Sequence, residues 1–244
     1  MTSENEYITI IMYSLVRTGG YVFSNICPVL SNCRHRRQFS ANEDTPLNKF
    51  AKKSELTRTA LFSAAQRVIV KVGYEGAQLE TIAREAGRTK GSVYAHFRSK
   101  EQLFVAMMEF IVAERRRVVS SLSLDQNGEA LRQAVRLVCL KAALDDSWLL
   151  IILEFKRHAY RNPKSVSSVL ESYNQLWDEF HGLLMRLGPH SRRTPEEVST
   201  CLEILRAVTP ALPLEPRLRR RPATALRNRR ASFEKIFDLL FPPS

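Results

Sequence analysis

The stretch Leu79 to Lys100, LETIAREAGRTKGSVYAHFRSK, decides the fold. Leu79, Ile82, Ala83 and Ala86 recur at i, i+3, i+4 and i+7, the stripe of a short amphipathic helix. Gly87 ends it as a left-handed C-terminal glycine would. Thr89 can then cap a second helix, its hydroxyl meeting a free backbone N–H. Val93 and Phe97, one turn apart, form that helix's inward face. Two short helices joined by a glycine turn read as a helix-turn-helix, whose second helix enters the DNA major groove. Arg88, Thr89, Lys90, Gly91, Ser92 and Tyr94 fall mostly away from the inward face. Donors, small residues and one aromatic ring suit reading base edges and gripping phosphates.

Working outward, the stretch resembles the DNA-binding domain of tetracycline-repressor-type (TetR) regulators. The matching segments are LTRTALFSAAQRVIVKVGYEG, LETIAREAG and TKGSVYAHFRSKEQLFVAMM, from Leu56 to Met108, about a fifth of the chain. The Gly-Tyr-Glu-Gly turn before the helix-turn-helix and Tyr-x-His-Phe-x-x-Lys after it make the resemblance specific. Two positions depart from the pattern: Arg88 stands where the family often has an apolar residue, and Gln78 where a capping Ser or Thr is usual. The resemblance implies an all-α protein. An N-terminal three-helix DNA-binding domain, residues 51–100, would be followed by a helical effector-binding and dimerisation domain, residues 101–244. It also implies DNA contacts from Gln78, Thr81, Arg88, Thr89, Lys90, Gly91, Ser92, Tyr94, His96 and Lys100. Lys90, Ser92 and Arg88 would touch bases, whereas Thr89, Tyr94, His96 and Lys100 would mainly hold the phosphate backbone.

The totals agree with a nucleic-acid partner. The 244 residues carry a net charge of +12 with pI about 9.9. Ten Lys or Arg against four Glu between Lys52 and Lys100 place +6 of that charge in a fifth of the chain. Cys27, Cys33, Cys139 and Cys201 form no compact framework, which fits a reducing cytoplasm. Cys27 and Cys33 with His35 lack a local fourth ligand and the spacing of common zinc sites, so no metal is expected.

Residues 1–50 read as a poorly ordered extension, consistent with a start codon assigned too far upstream; a membrane or partner contact by residues 7–30 is the competing reading. The apolar run Tyr7 to Val16 is shorter than the ~20 residues that span a bilayer. Glu4 and Glu6 occupy the place where a signal peptide is basic. Ser54 can cap the first family-like helix, whose stripe is Leu61, Ala65, Val68 and Val72, with Gly73 as its stop. Ser99 caps a helix from Lys100. Arg115 to Arg117 read as a solvated basic face. Beyond a break at Asp125 to Gly128, helical periodicity continues: from Glu129, then Trp148 to Tyr160, then Lys164 to Leu187 up to Gly188-Pro189. A last cap is Thr194, with Pro195 at the first helical position. Thr209 to Pro216 holds three prolines and cannot be regular helix. Arg217 to Arg230 reads as a solvated loop, a second nucleic-acid contact being the sharper alternative.

No catalytic constellation, glycine-rich phosphate loop or His-Glu-x-x-His is visible, so neither an enzyme nor a cofactor is expected. In the second domain Trp148, Phe155, His158, Tyr173, Trp177 and His181 put rings beside polar tips on helices that should face one another. Such a bundle can hold a mostly apolar pocket with a few orienting groups. The resemblance implies that a largely apolar small-molecule effector binds there. The expected protein is a cytoplasmic homodimer that binds double-stranded DNA at a palindromic operator, has no membrane partner, and acts as a repressor released by its effector. The alternative is a basic architectural DNA-binding protein without ligand sensing. The dimer is expected through Val198, Leu202, Leu205, Phe233, Ile236, Phe237 and Leu240 of the last two helices.

Overall fold

The computed structural model describes residues 46–122, 128–187, 192–212, 214 and 222–243. Among these the chain is all α-helical: α1 (Pro46–Gly76), α2 (Leu79–Glu85), α3 (Lys90–His96), α4 (Lys100–Ser121), α5 (Gly128–Leu144), α6 (Asp146–Arg161), α7 (Ser167–Leu187), α8 (Pro195–Val208) and α9 (Pro222–Leu240). A short 3-10 turn, Pro163–Val166, joins α6 to α7. No described helix is long and apolar enough to cross a membrane.

Local chemistry sets most of the ends. Thr89 accepts from the Ser92 N–H at 3.2 Å and starts α3. Ser99 accepts from the Gln102 N–H at 3.1 Å and starts α4. Thr194 and Glu197 exchange side-chain and backbone bonds in a full capping box with Pro195 at the first helical position. Gly87, at φ 64, supplies the left-handed residue that closes α2. Ser54, expected as a cap, lies inside α1, which already begins at Pro46. The expected boundary between residues 50 and 51 therefore falls within one helix.

A continuous core runs through the molecule. α1, α2 and α3 close around Leu61, Ile82, Val93 and Phe97. α4 serves both halves. Its first turns bury Leu103, Phe104, Met107 and Met108 with the helix-turn-helix, and its later turns, with Val112, Val118 and Val119, pack on α7. The boundary expected at residue 100 is thus the start of a shared helix.

Several expectations change here. Leu202, Leu205, Val198, Phe233 and Phe237, nominated for a dimer interface, are all buried within one chain. α9 lies on α5, where the buried Arg132 donates to the Phe241 carbonyl at 2.7 Å and pairs with Asp238. The arginine run is not simply solvated: Arg229 is buried, pairs with Asp146 and donates to the Leu144 carbonyl at 3.1 Å. Arg230, exposed, reaches Glu234. Trp148 to Tyr160 is helical and buries Trp148, Leu149, Ile151, Ile152, Phe155, His158 and Ala159, but Tyr160 is 92% exposed. The expected extension up to residue 45, Cys27, Cys33, His35, the break near Asp125, Gly188-Pro189 and Arg217 to Arg221 lie outside the described residues.

Candidate functional site

Two places concentrate chemistry: the surface of α2 and α3, and a cavity among α4 to α8. On the first, none of the ten residues expected at DNA is buried. Gln78 precedes α2 without a side-chain cap bond. Arg88, Thr89, Lys90 and Gly91 are exposed around the turn and the start of α3, with Ser92 and His96 partly covered. Lys90 pairs with Glu80 at 2.8 Å, and the Tyr94 hydroxyl donates to the same carboxylate oxygen at 3.4 Å. The Lys90 ammonium also lies 5.7 Å from the Tyr94 ring centre. This bonding holds the Glu80 carboxyl below its ordinary range and the Lys90 ammonium above its own, hydrogen bonding between the two being the largest cause for each. Glu80 is the one member of this cluster that the sequence reading leaves out, because its partners lie on the next helix.

Lys100 has a different environment from the one expected. Its ammonium donates to the Tyr74 and Glu75 carbonyls, both at 3.0 Å, and sits 4.6 Å from the Tyr74 ring centre. It thereby satisfies the carbonyls left at the end of α1, where Gly73 turns the chain at φ 75. A Cβ at Gly73 would also come within 3.3 Å of the Glu154 carboxylate of α6, so both its backbone angle and its close approach favour glycine.

Tyr74 is the centre of this junction. Its ring packs 4.7 Å from Phe104 and 4.9 Å from His158. Burial, then the nearby Glu101 and Glu75, push its hydroxyl up to about 12. His158, expected in an effector pocket, belongs here instead: Nε2 is 3.3 Å from Glu101 and 3.5 Å from the Ser165 hydroxyl. On the same face of α6, Arg157 bonds Glu154 at 2.9 Å and approaches Glu75 at 3.6 Å. The second half of α6 therefore grips the DNA-binding domain.

The first half of α6 forms one wall of a cavity of about 110 Å³. Trp148, Leu149 and Ile152 meet Tyr173, Leu176, Trp177 and Phe180 of α7, with Arg115 and Val119 of α4, Val138, Cys139 and Ala142 of α5, and Leu205 and Arg206 of α8. Of the six residues expected in a pocket, Trp148, Tyr173 and Trp177 line it. Phe155 stands behind, its ring 5.7 Å from Tyr173. His181 does not line the cavity and instead reaches α8, its Nε2 3.0 Å from the Ser199 hydroxyl. Arg115, expected on a solvated basic face, turns inward, with the Trp148 ring 4.4 Å away and Asp145 at 3.1 Å. Its spacing from Ile111 and Val119, one turn on either side, was the missed signal. Burial pulls its guanidinium down while Asp145 opposes that shift. Burial pushes the Cys139 thiol up to about 12, so it is a neutral wall residue. Among the described residues, no group of three or more His, Cys, Asp or Glu is placed to hold a metal ion.

Comparison with known proteins agrees with the all-helical fold and with the helix-turn-helix segment. Residues 61–107 match the family model of bacterial regulatory proteins, tetR family. The uncharacterised HTH-type transcriptional regulator YwcC of Bacillus subtilis is 27% identical over 150 residues, 57% of this chain and 66% of its own. The HTH-type transcriptional repressor NicS of Pseudomonas putida is 32% identical over 90 residues, 36% of this chain and 42% of its own. The aligned parts thus span two thirds of these relatives or less. The fold of the transcriptional regulator FadR from Bacillus subtilis, solved in complex with stearoyl-CoA, superposes with TM-score 0.57 over 76% of this chain and 98% of that one, at 16% identity. With the glycine turn and the capped α3 in their places, residues 61–107 carry the DNA-binding segment found in the tetR family of bacterial regulatory proteins.

Proposed function

We propose that this protein is a homodimeric transcriptional repressor that leaves a palindromic operator when a small effector fills the cavity among α4 to α8. The observation that carries the reading is the course of α6. One continuous helix lines the cavity with Trp148, Leu149 and Ile152, then holds the DNA-binding domain through Glu154, Arg157 and His158. A ligand that displaces the first half moves the second against Tyr74. Free energy of binding in the cavity then becomes a change in the spacing of two recognition helices, which is the coupling an effector requires. Lys90, Ser92 and Arg88 are assigned to bases, and Thr89, Tyr94 and His96 to phosphates. FadR, of like fold, carries an acyl-CoA, which supports a ligand-holding role for the helical half.

One recognition helix covers too few base pairs for specificity, and a two-fold dimer places half-sites about 34–36 Å apart. The outward sides of α8 and α9 leave Ile204 and Leu239 exposed, at 39% and 66%, and supply the apolar material for such an interface. The test is a titration of the full chain with a palindromic duplex selected from random sequence, against a scrambled duplex at matched salt. A repressor of this kind prefers its operator by a factor on the order of a thousand or more. Equal affinity for both duplexes would make it a basic coating protein instead.

A further inference from the structure

The cavity's chemistry goes beyond the presence of a pocket. Its body is apolar, formed by Val119, Val138, Leu149, Ile152, Leu176 and Phe180. Its charged groups are of one sign. No Asp or Glu lines it, whereas Arg115 and Arg206 do. Arg115 is already matched by Asp145 at 3.1 Å. Arg206 stacks on the Tyr173 and Trp177 rings, 5.2 and 5.4 Å from their centres. Its carboxylate neighbour, Glu203, stands at 3.9 Å with its side chain 71% exposed, where solvent weakens the pairing. Lys156 adds positive charge from α6, its ammonium donating to the Arg206 carbonyl at 3.4 Å. Burial and the Arg206 charge hold that ammonium below its ordinary range.

Two further donors are left over. The Tyr173 hydroxyl and the Trp177 indole N–H are buried and meet no hydrogen-bond partner among the described residues. A buried donor without a partner costs stability, and its recurrence beside one arginine points to an acceptor supplied from outside. A cavity of roughly 150 Å³ holds a single benzene ring. At about 110 Å³ this one suits one ring or a short branched chain, not a long acyl tail.

Resting on the reading of the cavity as the effector site, we propose that the effector is a small carboxylate with a compact, ring-sized apolar body. The carboxylate would accept from Arg206 and from the Tyr173 hydroxyl or Trp177 N–H. The ring would lie among Leu149, Ile152, Leu176 and Phe180. A cation is disfavoured by the two arginines, and a neutral hydrocarbon leaves the donors unmet.

The test uses the full chain with benzoate, benzyl alcohol and benzylamine at equal ionic strength. Trp148 and Trp177 are the chain's two tryptophans and both line the cavity, so intrinsic fluorescence reports occupancy. Benzoate is expected to saturate the signal and release operator DNA. Benzyl alcohol should bind at least about tenfold more weakly, having lost a charge-assisted bond, and benzylamine should not bind. Tyr173→Phe should melt no lower than wild type, because the lost hydroxyl bonds nothing, yet bind benzoate about tenfold more weakly. Arg206→Met, which keeps an apolar stem against the rings, should erase the preference for benzoate over the alcohol. No saturable benzoate binding, an alcohol or amine equal to benzoate, or an unaltered affinity in Tyr173→Phe would overturn the carboxylate assignment while leaving an effector cavity in place. The reading beneath it fails separately, if whichever compound releases DNA does so equally from the cavity-filled variant Ala142→Leu.

Discussion

Around the turn at Gly87, polar groups are met by partners a few residues away. Thr89 takes the Ser92 N–H, Ser99 takes the Gln102 N–H, and Gln102 returns a bond to the Arg98 N–H at 2.7 Å. Around the cavity, Tyr173 and Trp177 carry buried donors that meet none. The first region is complete as folded, and its exposed groups face outward to a charged partner. The second has kept an unmet demand inside. A surface that reads DNA must be rigid before the DNA arrives, because its side chains are placed to within a hydrogen bond. A site that switches must differ in free energy between its empty and filled states, and unmet donors create that difference.

The contrast also explains what could be read from the chain. Caps at Thr89, Ser99 and Thr194 and the left-handed Gly87 are decided by neighbours in sequence, and they stand as expected. The cavity is decided by which helix faces meet. Trp148, Tyr173 and Trp177 were legible as large rings on amphipathic helices, but nothing local separates them from Phe155, one turn away from Ile151 and fully in the core. His158 was equally ambiguous. Its polar tip suits a pocket, yet the crossing of α6 over α1 delivers it to Tyr74 and Glu101. Leu202 and Leu205 carry the same lesson: periodicity identifies an apolar face but does not say whether its partner is α7 of the same chain or a second copy.

The largest expected effect tests that last distinction. Leu202 is 7% exposed and lies outside the cavity lining, so Leu202→Glu buries a charge without a partner and should cost about 4 kcal/mol or more, enough to leave little folded protein. Ile204→Glu, two residues along and 39% exposed, should leave helical circular dichroism unaltered while light scattering finds monomers. A folded, dimeric Ile204→Glu with Leu239→Glu added would remove the outer faces of α8 and α9 as the interface.

Next comes the pair of lysines at the DNA-binding domain. Lys100→Ala removes two bonds to carbonyls and a contact with the Tyr74 ring, so denaturant unfolding should register a loss of about 1.5–3 kcal/mol. Lys90→Ala should leave unfolding nearly unaffected and instead weaken operator binding by about 1–3 kcal/mol, with a smaller loss on a scrambled duplex. Finding the operator-selective loss in Lys100→Ala and not in Lys90→Ala would reverse the two assignments.

A smaller effect separates the two regions directly. Thr89→Ala leaves the Ser92 N–H without its acceptor and should cost about 1 kcal/mol of stability. Tyr173→Phe, which deletes a hydroxyl with no partner, should cost none in the absence of effector. If the hydroxyl proved as costly to lose as the cap, the cavity would be as fully satisfied as the turn, and the contrast between them would disappear.

The smallest change in stability, and the finest probe of the DNA surface, is Glu80→Gln. Glu80 sits on α2, exposed, and its carboxylate holds both Lys90 and the Tyr94 hydroxyl. An exposed ion pair adds little to folding, so the melting temperature should barely move. DNA binding is another matter. In the complex Lys90 must exchange a carboxylate for a base edge or phosphate, and Glu80 itself is brought toward a polyanion. Both terms oppose binding on any sequence, but on the operator they are offset by contacts to bases. Glu80→Gln keeps the shape and the acceptor while removing the charge. It should therefore raise affinity for scrambled DNA severalfold, raise operator affinity less, and so narrow the ratio between them. The measurement is a salt-matched titration with both duplexes. An equal gain on both would leave Glu80 a general electrostatic brake, and no gain on either would place its carboxylate away from the bound duplex.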